Sequence, residues 1–390
     1  MLYRRVVLIG HLLALLVLIT NPTQPARMTL APSLPVISPQ NISNLTRIAC
    51  LKIPDGDGHA NMDATQWSPD GTVLTANGMT GLWVFSVDSS TATINKSPRL
   101  LPGQTQTVIG FSPDSNYLYN VLYDDSILQW DLRIDQQQSF LDKDRLRSFR
   151  ILNKPATIIA SWHSEEATHI WDIAKGKESG VLPNGGWPMA FSSDGSQLAV
   201  SGAPDDPIRL YDVNTLRVVA ELKHPDLLYI RALAFSPNGK TLAVADDYAV
   251  GTVWLWNMVT KQPQSSLKAD YYDGILRLVF SSDSKRLISW GRTAVYLWNV
   301  ETGTQIAALA GHGFDDVGAI FSPDGNLIAS WDDHRRTRFW DGQTGRELRT
   351  IEYIWNATFS PDGKLLAIYG NTSGTVELWG IAPPYTTLDC

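Results

Sequence analysis

The feature that most constrains this chain is a short pattern that recurs along most of its length. An aromatic residue is followed by Ser, then by Pro or Ser, by Asp or Asn, and by Gly or Ser. Its copies begin at Trp67, Phe111, Phe191, Phe235, Phe280, Phe321 and Phe359. Pro, Asp and Gly in this order are typical of a tight turn between strands. The recurrence predicts a repeat architecture, in which each repeat packs on its neighbours.

A second pattern marks the end of each repeat. An aromatic residue closes a run in which apolar residues alternate with others, as in residues 375–379. The closing aromatics are Phe85, Trp130, Trp171, Tyr211, Trp256, Trp298, Trp340 and Trp379. They are about 42 residues apart on average, and alternation with period two is typical of β-strands. The interval before Trp171 lacks the turn pattern, but residues 147–152 and 157–162 read as strands, so we count it as a repeat.

The turns and the closing Trp-Asp pairs resemble the WD-repeat β-propeller family, whose repeat spans roughly 40–45 residues. The resemblance implies an all-β propeller over residues 41–382, with eight blades of four antiparallel strands; seven blades is the alternative. In that family an N-terminal outer strand usually closes the ring, and residues 45–53 fit that place. The serine of the family's buried polar tetrad is clear only at Ser330. We therefore expect mainly apolar packing between blades.

The chain ends carry features of their own. Arg4 and Arg5 precede an apolar run over residues 6–19, so residues 1–26 are predicted to be a signal peptide or an N-terminal membrane anchor. Residues 27–40 are rich in proline and predict a linker, and residues 383–390 form a C-terminal tail. These features predict a secreted or extracytoplasmic protein, with membrane contact only through an uncleaved N-terminal segment.

Cys50 and Cys390 are the two cysteines of the chain. Cys50 lies in the predicted closing strand, and Cys390 ends the tail that follows the last blade. An oxidising compartment would allow a disulfide between them. The alternative is a buried Cys50 thiol with Cys390 unpaired.

Patterns of catalytic or cofactor chemistry are missing from the sequence. We find no nucleophile elbow, phosphate-binding loop or histidine-based zinc motif. The recurring Asp residues are explained by the turns, and residues 55–63 resemble a calcium loop but lack the glycine and glutamate of an EF-hand. We therefore expect no enzyme activity, no cofactor and no metal. The net charge of −7 does not suggest the basic surface of a nucleic-acid-binding protein, so no nucleic-acid partner is expected.

Several aromatic residues map by family analogy onto one face of the ring. The candidates for partner binding are Trp162, Trp187, Tyr229, Tyr271, Tyr272, Phe314 and Trp355. Trp187 and Trp355 are expected to be the more exposed ones, and acids such as Asp206, Asp246 and Asp332 map to the same side. Exposed aromatics anchor protein interfaces. The expected function is a monomeric, non-enzymatic protein-interaction scaffold with an unknown protein partner. The alternative is an enzyme or a carbohydrate-binding propeller that uses this face.

Overall fold

The computed structural model divides the chain into two compact units, residues 1–33 and 34–390. The residues that it describes are 33–53, 65–78, 81–89, 92–94, 97–102, 105–122, 126–141, 149–152, 157–163, 167–173, 175–183, 185–204, 206–227, 229–246, 251–268, 274–292, 294–312, 317–352, 355–369 and 374–381. The predicted signal or anchor segment 1–26, the calcium-like loop 55–63 and the tail 383–390 lie outside them. None of the helices in the described residues is long and apolar enough to cross a membrane.

The described strands form eight antiparallel sheets, which are the blades of a propeller. The first strand of the chain, β1 (Leu45–Lys52), follows a short 3-10 helix (Ile42–Asn44) and belongs to the last blade. Blade 1 contains β2 (Gln66–Trp67), β3 (Val73–Asn77), β4 (Gly81–Asp88), β5 (Thr93–Ile94) and β6 (Arg99–Pro102). Blade 2 contains β7 (Thr105–Phe111), β8 (Tyr117–Leu122), β9 (Ile127–Asp131) and β10 (Gln136–Leu141). Blade 3 contains β11 (Phe149–Leu152), β12 (Ile158–His163), β13 (Ala167–Asp172) and β14 (Lys177–Pro183).

The second half of the ring repeats the same arrangement. Blade 4 contains β15 (Met189–Phe191), β16 (Gln197–Val200), β17 (Ile208–Asp212) and β18 (Val218–Leu222). Blade 5 contains β19 (Ile230–Phe235), β20 (Thr241–Asp246), β21 (Thr252–Asn257) and β22 (Gln262–Lys268). Blade 6 contains β23 (Arg277–Phe280), β24 (Arg286–Trp290), β25 (Val295–Asn299) and β26 (Thr304–Leu309). Blade 7 contains β27 (Gly318–Phe321), β28 (Leu327–Trp331), β29 (Arg336–Asp341) and β30 (Glu347–Glu352). Blade 8 contains β31 (Trp355–Phe359), β32 (Leu365–Tyr369), β33 (Thr375–Ile381) and β1.

The ring is closed by the N-terminal strand. β1 pairs antiparallel with β33, from Leu45 opposite Ile381 to Lys52 opposite Thr375. The prediction of eight four-stranded blades with an N-terminal outer strand is thus confirmed, and the seven-blade alternative is wrong. Cys50 on β1 is disulfide-bonded. Its predicted partner Cys390 lies outside the described residues, so the pairing of these two cysteines stays a prediction.

The core consists of eight apolar clusters, one between each pair of successive blades. The closing aromatics are part of these clusters. Trp256 of blade 5 packs against Ala199 and Leu210 of blade 4, and Trp298 of blade 6 packs against Leu255 of blade 5. Removal of this apolar surface from water stabilises the ring.

The acidic residues of the recurring turns form hydrogen bonds within the same turns. In blade 1, the Ser68 hydroxyl donates to Asp70 Oδ1 at 2.6 Å and accepts from the backbone N–H of Val73 at 2.9 Å. The same Ser–Asp bond recurs in the turns of blades 2, 4, 6, 7 and 8. Hydrogen bonds from Ser112 and Asn116 hold the pKa of Asp114 below its usual value. These carboxylates therefore stabilise turns.

Polar pairs within the blades are more frequent than the sequence predicts. The Trp340 indole N–H donates to Ser330 Oγ at 2.8 Å, and His312 Nε2 lies 2.8 Å from the same oxygen. Equivalent Trp–Ser bonds join Trp171 to Ser161 at 3.0 Å and Trp298 to Ser289 at 2.8 Å. The expectation that Ser330 alone keeps this pair is wrong, because Ser161 and Ser289 occupy the same place in blades 3 and 6.

The segment before β1 packs on blades 7 and 8. Ile37 and Ile42 are buried there, and the Ile37 N–H donates to the Gly363 carbonyl oxygen at 2.9 Å. Arg349 Nη1 donates to the carbonyl oxygens of Ile42 and Leu45 at 2.8 and 2.7 Å. The described part of the predicted linker 27–40 is therefore held against the ring.

Candidate functional site

The loops at one end of the strands form a cleft between blades 4 and 5. We call this end of the ring, which carries the loops between second and third strands and the loops between blades, the cleft face. The opposite end, with the Ser–Asp turns, is the turn face. The cleft has a volume of about 200 Å³. Its blade 4 side includes Trp187, Ala203, Pro204 and Asp206, and its blade 5 side includes Leu227, Tyr229 and Arg231.

Two glycines let the blade 4 side of the cleft pack closely. A Cβ on Gly186 would lie 2.7 Å from the Ser201 carbonyl oxygen, so the loop before Trp187 can approach the next loop only with glycine there. A Cβ on Gly202 would lie 2.6 Å from Asp206 Oδ2. The Asp206 side chain therefore folds over Gly202, and a turn bond from the Asp206 N–H to the Ala203 carbonyl oxygen at 3.0 Å supports it.

The blade 5 side is held by a buried carboxylate. Asp246, at the end of β20, is 3% exposed, and its Oδ1 accepts the backbone N–H of Tyr229 at 3.0 Å. Leu227 packs in the apolar cluster between blades 4 and 5. With its backbone held in this way, Tyr229 is 49% exposed.

Two ion pairs of Arg209 lie beside the cleft. Arg209 Nη1 lies 3.7 Å from Asp206 Oδ2, and Arg209 Nε lies 3.5 Å from Glu221 Oε1. At 3.7 Å, Arg209 and Asp206 form an ion pair whose atoms are too far apart for a hydrogen bond. The Asp206 side chain is 39% exposed, and Arg231 at the start of β19 is exposed.

The structure brings together two of the predicted partner-binding residues. Trp187 and Tyr229, 42 positions apart in adjacent blades, line the same cleft. Trp187 is half-buried and packs against the cluster between blades 3 and 4. It is therefore more buried than we expected for a residue beside two glycines. Trp162 lies in strand β12 and Trp355 lies in strand β31. The structure describes the backbone of these two residues and not their side chains. Tyr271, Tyr272 and Phe314 fall outside the described residues.

Other residues at this end of the strands have internal roles. Trp290 is 9% exposed and packs between blades 6 and 7, and Trp331 lies against Gly318, where a Cβ would be 2.3 Å from its ring. Among the acids, Asp246 is buried as described above. Asp332 is fully buried and accepts from Arg338 Nη1 at 3.0 Å. The expectation that these two acids add charge to the surface is wrong, because each has a partner inside the protein.

One group of side chains has the composition of a metal site. Potential ligand atoms of Asp332, Asp333 and His334 lie within 4.8 Å of one another. The Asp332 carboxylate is already compensated by Arg338 and by Arg336, whose Nη2 lies 3.5 Å from Oδ2. Two guanidinium groups beside the Asp332 carboxylate disfavour the binding of a metal cation there. The three side chains are better explained by ion pairs with other residues of the protein.

Comparison with known proteins gives matches of one kind. Residues 303–341 match the family model described as WD domain, G-beta repeat. The chain is 32% identical over 151 residues to telomerase protein component 1 of Rattus norvegicus, which covers 38% of this chain and 6% of that protein. It is 27% identical over 259 residues to telomerase Cajal body protein 1 of Mus musculus, covering 60% of this chain and 47% of that protein. It is 26% identical over 234 residues to serine-threonine kinase receptor-associated protein of Gallus gallus, covering 58% and 65%. The chain thus spans less than two thirds of each of these curated relatives.

Solved structures show the same fold. The C-terminal WD40 domain of Sif2 superposes with a TM-score of 0.66 at 17% identity, covering 87% of this chain and 99% of that one. The Dos1 propeller superposes with a TM-score of 0.66 at 14% identity, covering 86% and 95%.

The relatives also correct the predicted localisation. They are named for telomerase, for the Cajal body and for association with a serine-threonine kinase receptor, and these names point to the inside of the cell. The prediction of a secreted or extracytoplasmic protein is therefore wrong. The apolar segment that led to it lies within residues 1–26, outside the described residues.

Proposed function

Because the chain is a WD-repeat β-propeller, we propose that it is a non-enzymatic scaffold that binds another protein through its cleft face. The observation that supports this most is the cleft between blades 4 and 5, which Trp187 and Tyr229 both line. Aromatic residues at the centre of an interface supply much of its binding energy. A rigid ring that presents loops from several blades on one face suits this role.

The carboxylates of the described residues support binding over catalysis. Catalytic acids need access to a substrate and a position in a pocket. Asp246 and Asp332 are buried and paired, and the turn aspartates bond their own serines on the turn face. Among the described residues that line the cleft, Asp206 is the one carboxylate.

Site-specific photo-crosslinking in living cells tests the proposal. A photoreactive phenylalanine analogue replaces Tyr229, and in a matched control it replaces Val259, which is 79% exposed on the turn face of blade 5. We expect one protein to be captured from position 229 and not from position 259. With the purified pair, Tyr229→Ala should weaken binding by at least fivefold, as for an interface residue worth about 1 kcal/mol or more. Equal capture from both positions, or saturable binding of a glycan with no protein captured, would contradict the scaffold.

A further inference from the structure

We propose that the cleft between blades 4 and 5 receives one basic side chain, an arginine or a lysine, from the partner protein. This ligand chemistry rests on the proposed function, because the partner supplies the side chain. It adds the identity of the group that enters the cleft and the residues that select it.

The size of the cleft suits a single long side chain. Its volume of about 200 Å³ lies below the roughly 300–1,000 Å³ of pockets that enclose drug-sized ligands. Its lining combines apolar surface from Pro204 and Leu227 with charged groups at Asp206 and Arg231. Arginine and lysine have the same combination, since an apolar stem carries a charged end.

The two aromatic residues favour a cation. Trp187 and Tyr229 both contribute to the lining. The faces of indole and phenol rings attract cations by about 0.5–2 kcal/mol, and Trp does so most strongly. A neutral aliphatic side chain would gain the apolar contact and lose this attraction.

Asp206 supplies the matching negative charge. Its carboxylate is placed on the cleft wall by the close contact with Gly202. Its ion pair with Arg209 is 3.7 Å long, while Arg209 also contacts Glu221. A guanidinium or ammonium at hydrogen-bond distance would interact with this carboxylate more strongly than Arg209 does. The net charge of −7 adds a weak long-range attraction for a basic partner.

Arg231 opposes a basic ligand and so provides a test of sign. It lines the blade 5 side of the same cleft. If a cation enters, removal of the Arg231 charge should strengthen binding and removal of the Asp206 charge should weaken it. If an anion enters, both effects reverse. Each substitution therefore distinguishes a basic ligand from an acidic one, whichever protein supplies the side chain.

The experiment uses four peptides, acetyl-GGXGG-amide with X as Arg, Lys, Leu or Glu, and the full chain labelled with 5-fluorotryptophan. The chain has 14 tryptophans, and loss of one ¹⁹F signal in Trp187→Phe assigns Trp187. We expect the Arg and Lys peptides to shift the Trp187 signal saturably, and the Leu and Glu peptides to leave it unchanged at the same concentrations.

Variants then locate the binding. Asp206→Asn should weaken binding of the Arg peptide by about fivefold and Arg231→Gln should strengthen it by about twofold, as expected for single charges in a partly exposed cleft. Tyr229→Phe should keep binding within about twofold, whereas Tyr229→Ala should weaken it by about fivefold. Thermal melts confirm that each variant is folded. A preference for the Glu or Leu peptide, the opposite signs at Asp206 and Arg231, or equal binding by all variants would overturn the proposal.

The outcomes separate this inference from the proposed function. Capture of a protein from position 229 without any response to the basic peptides would retain the scaffold and reject the basic ligand. A response to the basic peptides without capture from position 229 would retain the chemistry of the cleft and reject the protein partner.

Discussion

Arg286 Nη1 donates a hydrogen bond of 2.7 Å to the carbonyl oxygen of Gly342, 56 residues further along the chain. The same nitrogen donates to the Gly325 carbonyl oxygen at 2.8 Å, so an arginine of blade 6 satisfies two backbone acceptors of blade 7. Arg286 is 4% exposed. A buried cation thus bridges blades 6 and 7 beside the apolar cluster between them.

Replacement of Arg286 should destabilise the ring. Arg286→Met keeps most of the side-chain volume but leaves two buried carbonyl oxygens without their donor, at a cost of about 2–4 kcal/mol. Urea unfolding measures the loss. Arg277→Met, at an exposed position of the same blade, is the control and should change stability by less than about 0.5 kcal/mol. Equal stability of the two variants would show that the bridge contributes nothing.

Stability should depend on pH through His312. Burial, and secondarily the nearby Arg338, lowers the pKa of His312 from 6.5 to about 4. Between these values the unfolded chain binds a proton that the folded chain does not, so stability is full above about pH 6.5 and falls as the pH drops toward 4. The contribution is on the order of 3 kcal/mol. Urea midpoints at pH 7, 6 and 5 should fall more steeply for the wild type than for His312→Gln.

The control for this pH dependence is His334, whose side chain is 58% exposed. His334→Gln should leave the wild-type dependence unchanged. If His312→Gln kept the same slope between pH 7 and 5, other groups would account for it.

Gly202→Ala should act on the cleft through Asp206. The new Cβ would meet the Asp206 carboxylate at 2.6 Å, so the carboxylate must move off the wall. We expect the Arg peptide to bind about as weakly as it does to Asp206→Asn. The combination of Gly202→Ala with Asp206→Asn should weaken binding no further than either change alone. Additive losses would mean that Gly202 acts independently of Asp206.

Trp187 should contribute to stability as well as to binding. It packs partly against the cluster between blades 3 and 4, so Trp187→Ala should lower the free energy of unfolding by about 1–3 kcal/mol, less than for a fully buried tryptophan. Trp187→Phe should lose under half of that. Thermal and urea unfolding measure the loss of stability. Unchanged stability of Trp187→Ala would show that the indole does not contribute to packing between the blades.

The disulfide of Cys50 can be assigned by mass spectrometry without reduction. Trypsin should release residues 48–52 and 365–390, and we expect these two peptides to be linked. Reduction should lower the thermal midpoint, because in the chain-entropy model a bridge across so long a loop contributes up to about 5 kcal/mol. Cys50→Ser, measured under reducing conditions, should match the reduced wild type. Alkylation of both thiols in oxidised protein would contradict the pairing.

The sequence predicted the repeats because each turn carries its own local chemistry. Ser68 and Asp70 bond within one turn, so their spacing is visible in the chain. Ser289 was missed, since it lies nine positions before Trp298 where the expected spacing is ten. It still bonds that indole at 2.8 Å, because the paired ends of β24 and β25 are joined by one residue fewer than the paired ends of β28 and β29, while the strand register is the same.

The cleft could be predicted only in part. Trp187 and Tyr229 were assigned to the right end of the strands from their place in the repeat, but their meeting in one cleft depends on contacts between blades. Asp246 and Asp332 lie at the ends of second strands, at the same end of the blades as the partly exposed Asp206, yet both are buried and bonded to internal donors. The donors lie 17 residues before Asp246 and six residues after Asp332, on neighbouring loops or strands, and the repeat pattern does not reveal these bonds.

The pairing of β1 with β33 also affects the order of events during synthesis. Arg47 and Glu377, joined at 3.1 Å across these strands, are 330 residues apart. At about 5–20 residues per second, the ribosome needs roughly 15–70 s to make that stretch. The residues of β1 therefore leave the ribosome long before their partner strand β33 has been made. Until blade 8 is complete, these residues are unpaired and can be bound by chaperones.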